Sequence, residues 1–148
     1  MPPLVICPFV QLDLSGIWAI EQTLVGPWSY GQIQEELTMR HGWQLVAKRI
    51  DGQVCGYLFG STVIDEAEIR KIAVSITYRR QGIAHRLLAV ACQELFLRAI
   101  TSCFLELRVS NLAALRLYQK NNFKIVGHRK SYYTLPTEDA MVLQKSFN

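Results

Sequence analysis

Seven consecutive residues, Arg79, Arg80, Gln81, Gly82, Ile83, Ala84 and His85, concentrate features that suit an anion. They follow the apolar run Ile72, Ala73 and Val74 and open a long helical pattern. The first turn of a helix leaves backbone N–H groups unpaired at the positive end of its dipole. Gly82 allows close approach to the backbone, Ala84 keeps a nearby position small, and Arg79 and Arg80 add charge. The stretch lacks the G-K-[ST] of a nucleotide P-loop and the G-x-G-x-x-G of a dinucleotide fold, so ATP and NAD are poor ligands for it. On these residues alone, a phosphate cradle and a helix start with solvated arginines both remain open.

Further along, residues 102–110, SCFLELRVS, alternate as a half-buried strand. Cys103, Leu105, Leu107 and Val109 fall on one face, and Phe104, Glu106 and Arg108 on the other. Glu106 is thus a carboxylate in mid-strand, free to move a proton or to pair with Arg70 or Arg108. In the helical segment that follows, Asn111, Leu115 and Tyr118 share one face, with about 10 Å of rise from Asn111 to Tyr118. Asn111 also suits an N-cap, and Tyr118 a core position.

These groups need a frame, and the apolar periodicity supplies one. A strand at 4–9 precedes a helix whose apolar positions run from Leu14 to Leu24. Ser29 and Gln32 form a capping box at the start of a second, short helix. Strands at 43–50 and 53–62 flank the turn Asp51-Gly52, and a third is expected at 67–75. Ile83, Leu87, Leu88, Ala91 and Leu95 make the apolar stripe of the long helix. The helix 111–120 ends at Asn121-Asn122, and strands at 124–131 and 140–147 close the chain. This order implies an α/β (α+β) fold with a mixed central sheet and helices on both faces.

The 148 residues suit one domain spanning 1–148, and half of them are hydrophobic, which argues against disorder. A net charge of +4 is small for a nucleic-acid module, and no helix-turn-helix pattern or aromatic-basic strand accompanies it. Cys7, Cys55, Cys92 and Cys103 form no C-x-x-C pair, so reduced thiols in a cytoplasmic protein are expected, with no metal. The amino-terminal stretch lacks the basic region of a secretory signal, and no apolar run approaches the ~20 residues of a membrane span.

The segment IRKIAVSITYRRQGIAHRLL resembles the acetyl-CoA signature of the GNAT N-acetyltransferases, and LELRVSNLAALRLYQKNNF resembles that family's next strand and helix. With GPWSY, DEAEIRKIAV and YYTLPTEDAMVL, the likeness covers nearly the whole chain and is narrowest for the branch that acetylates the amino terminus of a small-subunit ribosomal protein. The resemblance implies a GNAT fold, a mostly antiparallel sheet in which two neighbouring parallel strands splay apart. It implies acetyl-CoA as cosubstrate, its pantetheine arm against Ile72, Ala73 and Val74. Its diphosphate would lie on Arg80, Gln81, Gly82, Ile83, Ala84 and His85, with Arg79 and Asn111 as further coenzyme contacts.

Amide formation needs a neutral amine and a thiolate that can leave, so a base and an acid assist it. An amino-terminal amine, with pKa near ~7.7–8.0, needs milder help at neutral pH than a lysine near ~10.4. By resemblance Glu106 is the base and Tyr118 the acid. Trp28, Ser29, Tyr30, Glu66, Tyr132 and Tyr133 are the expected acceptor-groove residues, with Glu68 a second carboxylate there. Two other readings remain: the same acetyl donor with lysine side chains, polyamines or another small amine as acceptor, and an acetyl-CoA binder without catalysis.

Overall fold

The computed structural model describes residues 3–147. Seven strands form one sheet: β1 (Leu4–Pro8), β2 (Gly42–Arg49), β3 (Val54–Val63), β4 (Glu66–Val74), β5 (Ser102–Arg108), β6 (Lys124–Thr134) and β7 (Thr137–Ser146). Their spatial order is β1-β2-β3-β4-β5-β7-β6, and only β4 and β5 are parallel neighbours. Helices α1 (Leu14–Glu21) and α2 (Tyr30–Glu35) cover one face, and α3 (Ile83–Leu97) and α4 (Leu112–Lys120) cover the other. The mixed, mostly antiparallel sheet expected from the sequence is the sheet observed.

Two apolar cores follow from this arrangement. The larger joins the α3 stripe of Ile83, Leu87, Leu88, Ala91 and Leu95 to Leu45, Leu58, Ile69, Leu105 and Leu143 of the sheet, with Tyr118 and Phe123 at its edge. The smaller packs Leu14, Ile17 and Ile20 of α1 and Ile33 of α2 on Val46, Tyr57, Phe59 and Ala73. All four cysteines are unpaired thiols, three of them buried.

Local signals set the element ends. Ser29 Oγ accepts from the Gln32 amide at 3.1 Å while Gln32 Oε1 accepts from the Ser29 amide at 2.7 Å, so both halves of the expected capping box are made. Such a cap contributes about 1 kcal/mol. Asn111 Oδ1 accepts from the Ala114 amide at 3.2 Å and starts α4, whose end is turned by Asn122 at φ +69°. At the β2–β3 turn, Gly52 takes φ +91°.

Three departures from the sequence reading have physical causes. Helix α1 stops at Glu21 rather than near Leu24, because the amides of Thr23 and Leu24 bond back only three residues, to the carbonyls of Ile20 and Glu21 at 3.0 Å each, in tight turns that end the α-helical ladder. Strands β6 and β7 reach three residues further towards their shared turn than expected, to Thr134 and from Thr137. Ser131, at φ +50°, sits in an irregularity between the paired positions Arg129 and Tyr133, and the strand resumes beyond it. In β4, Arg70 is an extra residue: Ile69 faces Gly60, Lys71 faces Phe59, and Arg70 faces nothing. This bulge puts Arg70 and Lys71 on the α1–α2 face and returns Ile72 and Val74 to the α3 face.

Candidate active site

The parallel ladder between β4 and β5 stops early. Glu66 to Ile69 pair with Ser102 to Leu105, and the two strands then part although each continues. On its outer side β4 stays paired to β3 as far as Val74, and β5 to β7 as far as Arg108. The Ser75 amide donates to the Cys55 carbonyl at 2.8 Å, and antiparallel alternation then turns Ala73 towards β3 and leaves Ile72 and Val74 facing the gap. The Val74 carbonyl already accepts from Arg79 Nε at 3.2 Å, so one arginine of the basic stretch is spent on closing this edge.

A short turn at Ile76–Tyr78 leads to the start of α3. Gly82, the N-cap, lies at φ +77°, with no side chain capping the turn behind it, and the space where a Cβ would stand is empty. The first N–H groups of α3 therefore point outward beside a bare backbone, as an anion requires. Arg80, at φ +61°, is exposed, as is His85; Gln81 and Ala84 are half-buried, and Ile83 is a core residue whose backbone alone faces the turn. Asn111 lies on another element, and its carbonyl oxygen is used in capping α4.

Glu106 and Tyr118 flank the gap from opposite faces of the sheet. Glu106 extends to the α1–α2 side; Arg129 Nε lies 3.3 Å from its Oε2, poorly aligned, and that buried oxygen accepts no hydrogen bond from the described residues. Neither partner considered from sequence is used: Arg108 pairs with Glu138 at 3.3 Å, and Arg70 with Glu36. A buried carboxylate oxygen left without a donor costs free energy, a condition shared among the described residues by Trp43 Nε1 and Arg70 Nε. Tyr118 is 4% exposed on the α3–α4 side, with its ring edge-on to Phe123 at 5.5 Å. Burial, then the nearby Cys103 and Tyr133, raise its ionisation well above the ordinary tyrosine value, so it carries its proton throughout the neutral range. Tyr133 lies near both groups; burial and then Glu106 push it up to about 12.

The α1–α2 side has two walls. Trp28 stacks on Phe59 at 5.9 Å, and Tyr30 meets Trp18 edge-on at 5.7 Å, while the hydroxyl of Ser29 is used as the cap of α2. On the hairpin side, Tyr132 and Tyr133 meet edge-on at 5.1 Å, and the guanidiniums of Arg129 and Arg108 lie over their rings at 5.2 and 4.4 Å. Arg108 also donates to the carbonyls of Pro136 at 2.8 Å and Leu135 at 3.4 Å, fixing the hairpin tip. The walls meet at Gly26, φ +64°, where an added Cβ would stand 3.6 Å from Arg108 Nη2. Glu66 lies outside this group: it pairs with Ser102 at the closed end of the ladder, whereas Glu68 stands near enough to contribute to raising the ionisation of Tyr132, after burial and Glu106. Two surface depressions, one by α1 and the β2–β3 turn and one by the start of β2, include none of Ile72, Val74, Glu106 and Tyr118.

Sequence reasoning missed the buried acids that hold the α1–α2 wall. Asp13 pairs with Lys48 of β2 at 2.9 Å, Glu36 with Arg70 of β4, and Glu21 with Tyr57 of β3 and Lys71 of β4 at 2.8 and 3.3 Å. Only their helical spacing with apolar neighbours could have shown them; Glu21 stood in the same turn as Ile17 and Ile20. Among the described residues, no cluster of His, Cys, Asp or Glu is placed to hold a metal ion.

Comparison with known proteins agrees with this geometry. The alanine N-acetyltransferase of ribosomal protein bS18 from Escherichia coli K12 is 33% identical over 135 residues, 88% of this chain and 89% of that one. The Haemophilus influenzae protein of the same description is 34% identical over 136 residues, 88% and 90% of the two chains. The crystal structure of the Escherichia coli ribosomal-protein-S18-alanine N-acetyltransferase superposes with a TM-score of 0.90 at 29% identity, covering 99% of this chain and 95% of that one. Residues 16–123 match the Acetyltransferase (GNAT) family, and with the splayed strands and the open helix start described above, the chain belongs to that family of acetyl-CoA-dependent N-acetyltransferases.

Proposed function

We propose that this enzyme transfers the acetyl group of acetyl-CoA to the amino-terminal α-amine of a small-subunit ribosomal protein in the cytoplasm, the chain acting as one acetyltransferase domain. The observation that carries the reading is the gap between β4 and β5, with Glu106 on one face and Tyr118 on the other. The names of the bS18-alanine acetyltransferases, relatives over nearly nine-tenths of the chain, support the acceptor.

The pantetheine arm extends along the free backbone of Ile72 and the amide of Val74, and the diphosphate meets the first N–H groups of α3 around Gly82. The acceptor enters from the α1–α2 side, between Trp28 and Tyr30 on one wall and Tyr132 and Tyr133 on the other. Glu106 takes a proton from the α-amine, directly or through water, as its nitrogen attacks the thioester carbonyl carbon. When the tetrahedral adduct collapses, the carbon–sulfur bond breaks and Tyr118 gives its proton to the departing sulfur. The products are an N-acetylated amino terminus and CoA. An α-amine near ~7.7–8.0 is already partly neutral at pH 7.5, so one carboxylate suffices as base.

Mass spectrometry of peptides incubated with acetyl-CoA tests the acceptor. Each peptide carries a free α-amine and an internal lysine, and a matched set has the α-amine blocked. Acetyl appears on the α-amine of the first set and is absent from the second. Acetyl on lysine, or on spermidine in a parallel reaction, with the α-amines untouched, overturns the assignment.

A further inference from the structure

Glu21 and Lys71 take no part in the chemistry above, yet they join three elements at one buried point beside the gap. The Glu21 carboxylate is fully buried at the end of α1. Oε1 accepts from the Tyr57 hydroxyl at 2.8 Å and lies 3.3 Å from Lys71 Nζ, while Oε2 accepts from the Trp28 backbone amide at 2.8 Å. Lys71 Nζ also lies 5.3 Å above the centre of the Trp28 ring. Lys71 directly follows the Arg70 bulge and directly precedes Ile72, where β4 meets the open gap.

A carboxylate at the C-terminal end of a helix is opposed by the helix dipole, and burial opposes its charge further. Lys71 supplies the compensating charge, and only the bulge at Arg70 turns Lys71 to the face where Glu21 lies. The segment between α1 and α2 is otherwise exposed at residues 25–27, and its return to the sheet at Trp28 depends on the Glu21 hydrogen bond and the ring contacts of Trp28 with Phe59 and Lys71. The same strand that offers its edge to the coenzyme arm thus holds the acceptor wall through one ion pair.

We infer that Glu21 and Lys71 are positioning residues for the acceptor, fixing Trp28 and hence the groove wall so that peptide affinity depends on the charge balance of this buried pair. The inference rests on the acceptor reading proposed above. It separates acceptor binding from coenzyme binding, because both side chains lie on the α1–α2 face, away from the α3 start on the opposite face, and neither hydrogen-bonds the backbone of Ile72 or Val74.

Steady-state kinetics of the full chain with an acceptor peptide and acetyl-CoA varied separately provide the test. Lys71→Met leaves the Glu21 charge buried without its counter-ion and raises the peptide KM by about 10-fold or more, with the acetyl-CoA KM within about 2-fold of the parent. Lys71→Arg restores the peptide KM to within about 3-fold of the parent, and the double variant Glu21→Gln with Lys71→Met recovers most of the loss, since the pair acts as a unit. Tyr57→Phe removes a hydroxyl and little volume, and gives a smaller rise of about 3-fold in peptide KM alone. Equal rises in both KM values, a fall in kcat alone, or a double variant as impaired as the two single losses together would overturn the inference. If Lys71→Met does not fold, Tyr57→Phe and Lys71→Arg decide by the same split. Failure of the parent enzyme to acetylate any peptide α-amine would instead sink the acceptor reading itself, so the two failures are distinct.

Discussion

The two flanks of the gap are built from different materials. The flank proposed for the coenzyme is backbone: the open edge of β4 and the first turn of α3, with Gly82 contributing by lacking a side chain. The flank proposed for the acceptor is side chain: aromatics stacked on one wall and edge-on on the other, each wall tied to the sheet by a charged group, Glu21 with Lys71 on one and Arg108 with Glu138 on the other. A site made of amides tolerates change in the side chains around it. A site made of side chains can be retuned one residue at a time, so acceptor choice is expected to respond to single substitutions far more readily than coenzyme affinity.

The sharpest way to break this contrast lies at its centre, where both flanks meet the chemistry. Tyr118→Phe and Glu106→Gln should each lower kcat by about 100-fold or more with acetyl-CoA affinity nearly unchanged, as expected for groups that move protons. A parallel loss of affinity, read by calorimetry with CoA, would move either residue from catalysis to binding. On the coenzyme flank, Gly82→Asp sets a negative charge against the diphosphate at a position whose left-handed backbone aspartate tolerates, and should raise the acetyl-CoA KM by roughly 10-fold. Arg79→Ala should raise it by less than about 3-fold, because that side chain serves the Val74 carbonyl and the amides do the binding. An arginine effect larger than the glycine effect would reverse the description of this flank.

On the acceptor flank, Arg108→Ala removes the hydrogen bonds that hold the hairpin tip and should raise the peptide KM by about 3- to 10-fold with little effect on the acetyl-CoA KM. The smallest effect concerns acid. Hydrogen bonding by Ser110, whose amide donates at 2.7 Å, followed by Arg108, holds the Glu138 carboxyl below the usual glutamate range. The charged form is therefore favoured in the fold. The stabilisation is present above the ordinary glutamate value and is lost as pH falls through the lower, folded one. An NMR titration should show the Ser110 amide shifting only at that low pH; a shift in the usual glutamate range would remove the proposed tie.

The helix start at Gly82 was legible in the sequence because local rules govern it, while the same residues left its use as a phosphate cradle open. A strand followed by a glycine and an apolar stripe has few alternatives, and the alternation around Glu106 fixed which way its side chain faces. The splay itself was available only through family resemblance, since nothing in the pattern of β4 or β5 says where a parallel ladder stops. The Arg70 bulge was hidden for a related reason. Arg70 and Lys71 read as ordinary alternation until the partner strand reveals that one of them has no mate. Glu21 escaped because a carboxylate in an apolar turn looks like the edge of an amphipathic helix, and its partners Tyr57 and Lys71 lie 36 and 50 positions away. Glu66 was read as near the reaction from its closeness in sequence to Ile72, yet a strand advances about 3.3 Å per residue, and six residues carry it to the closed end.

The account turns on what enters the gap between β4 and β5, and a crystal structure with CoA and an acceptor peptide bound together tests that most directly. The expected result has the pantetheine amides paired with the backbone of Ile72 and Val74 and the diphosphate on the amides after Gly82. The CoA sulfur lies on the Tyr118 side, and the peptide's α-amine lies within reach of Glu106, between Trp28 and Tyr132. CoA bound outside the gap, or a peptide that enters from the α3–α4 face, would contradict it.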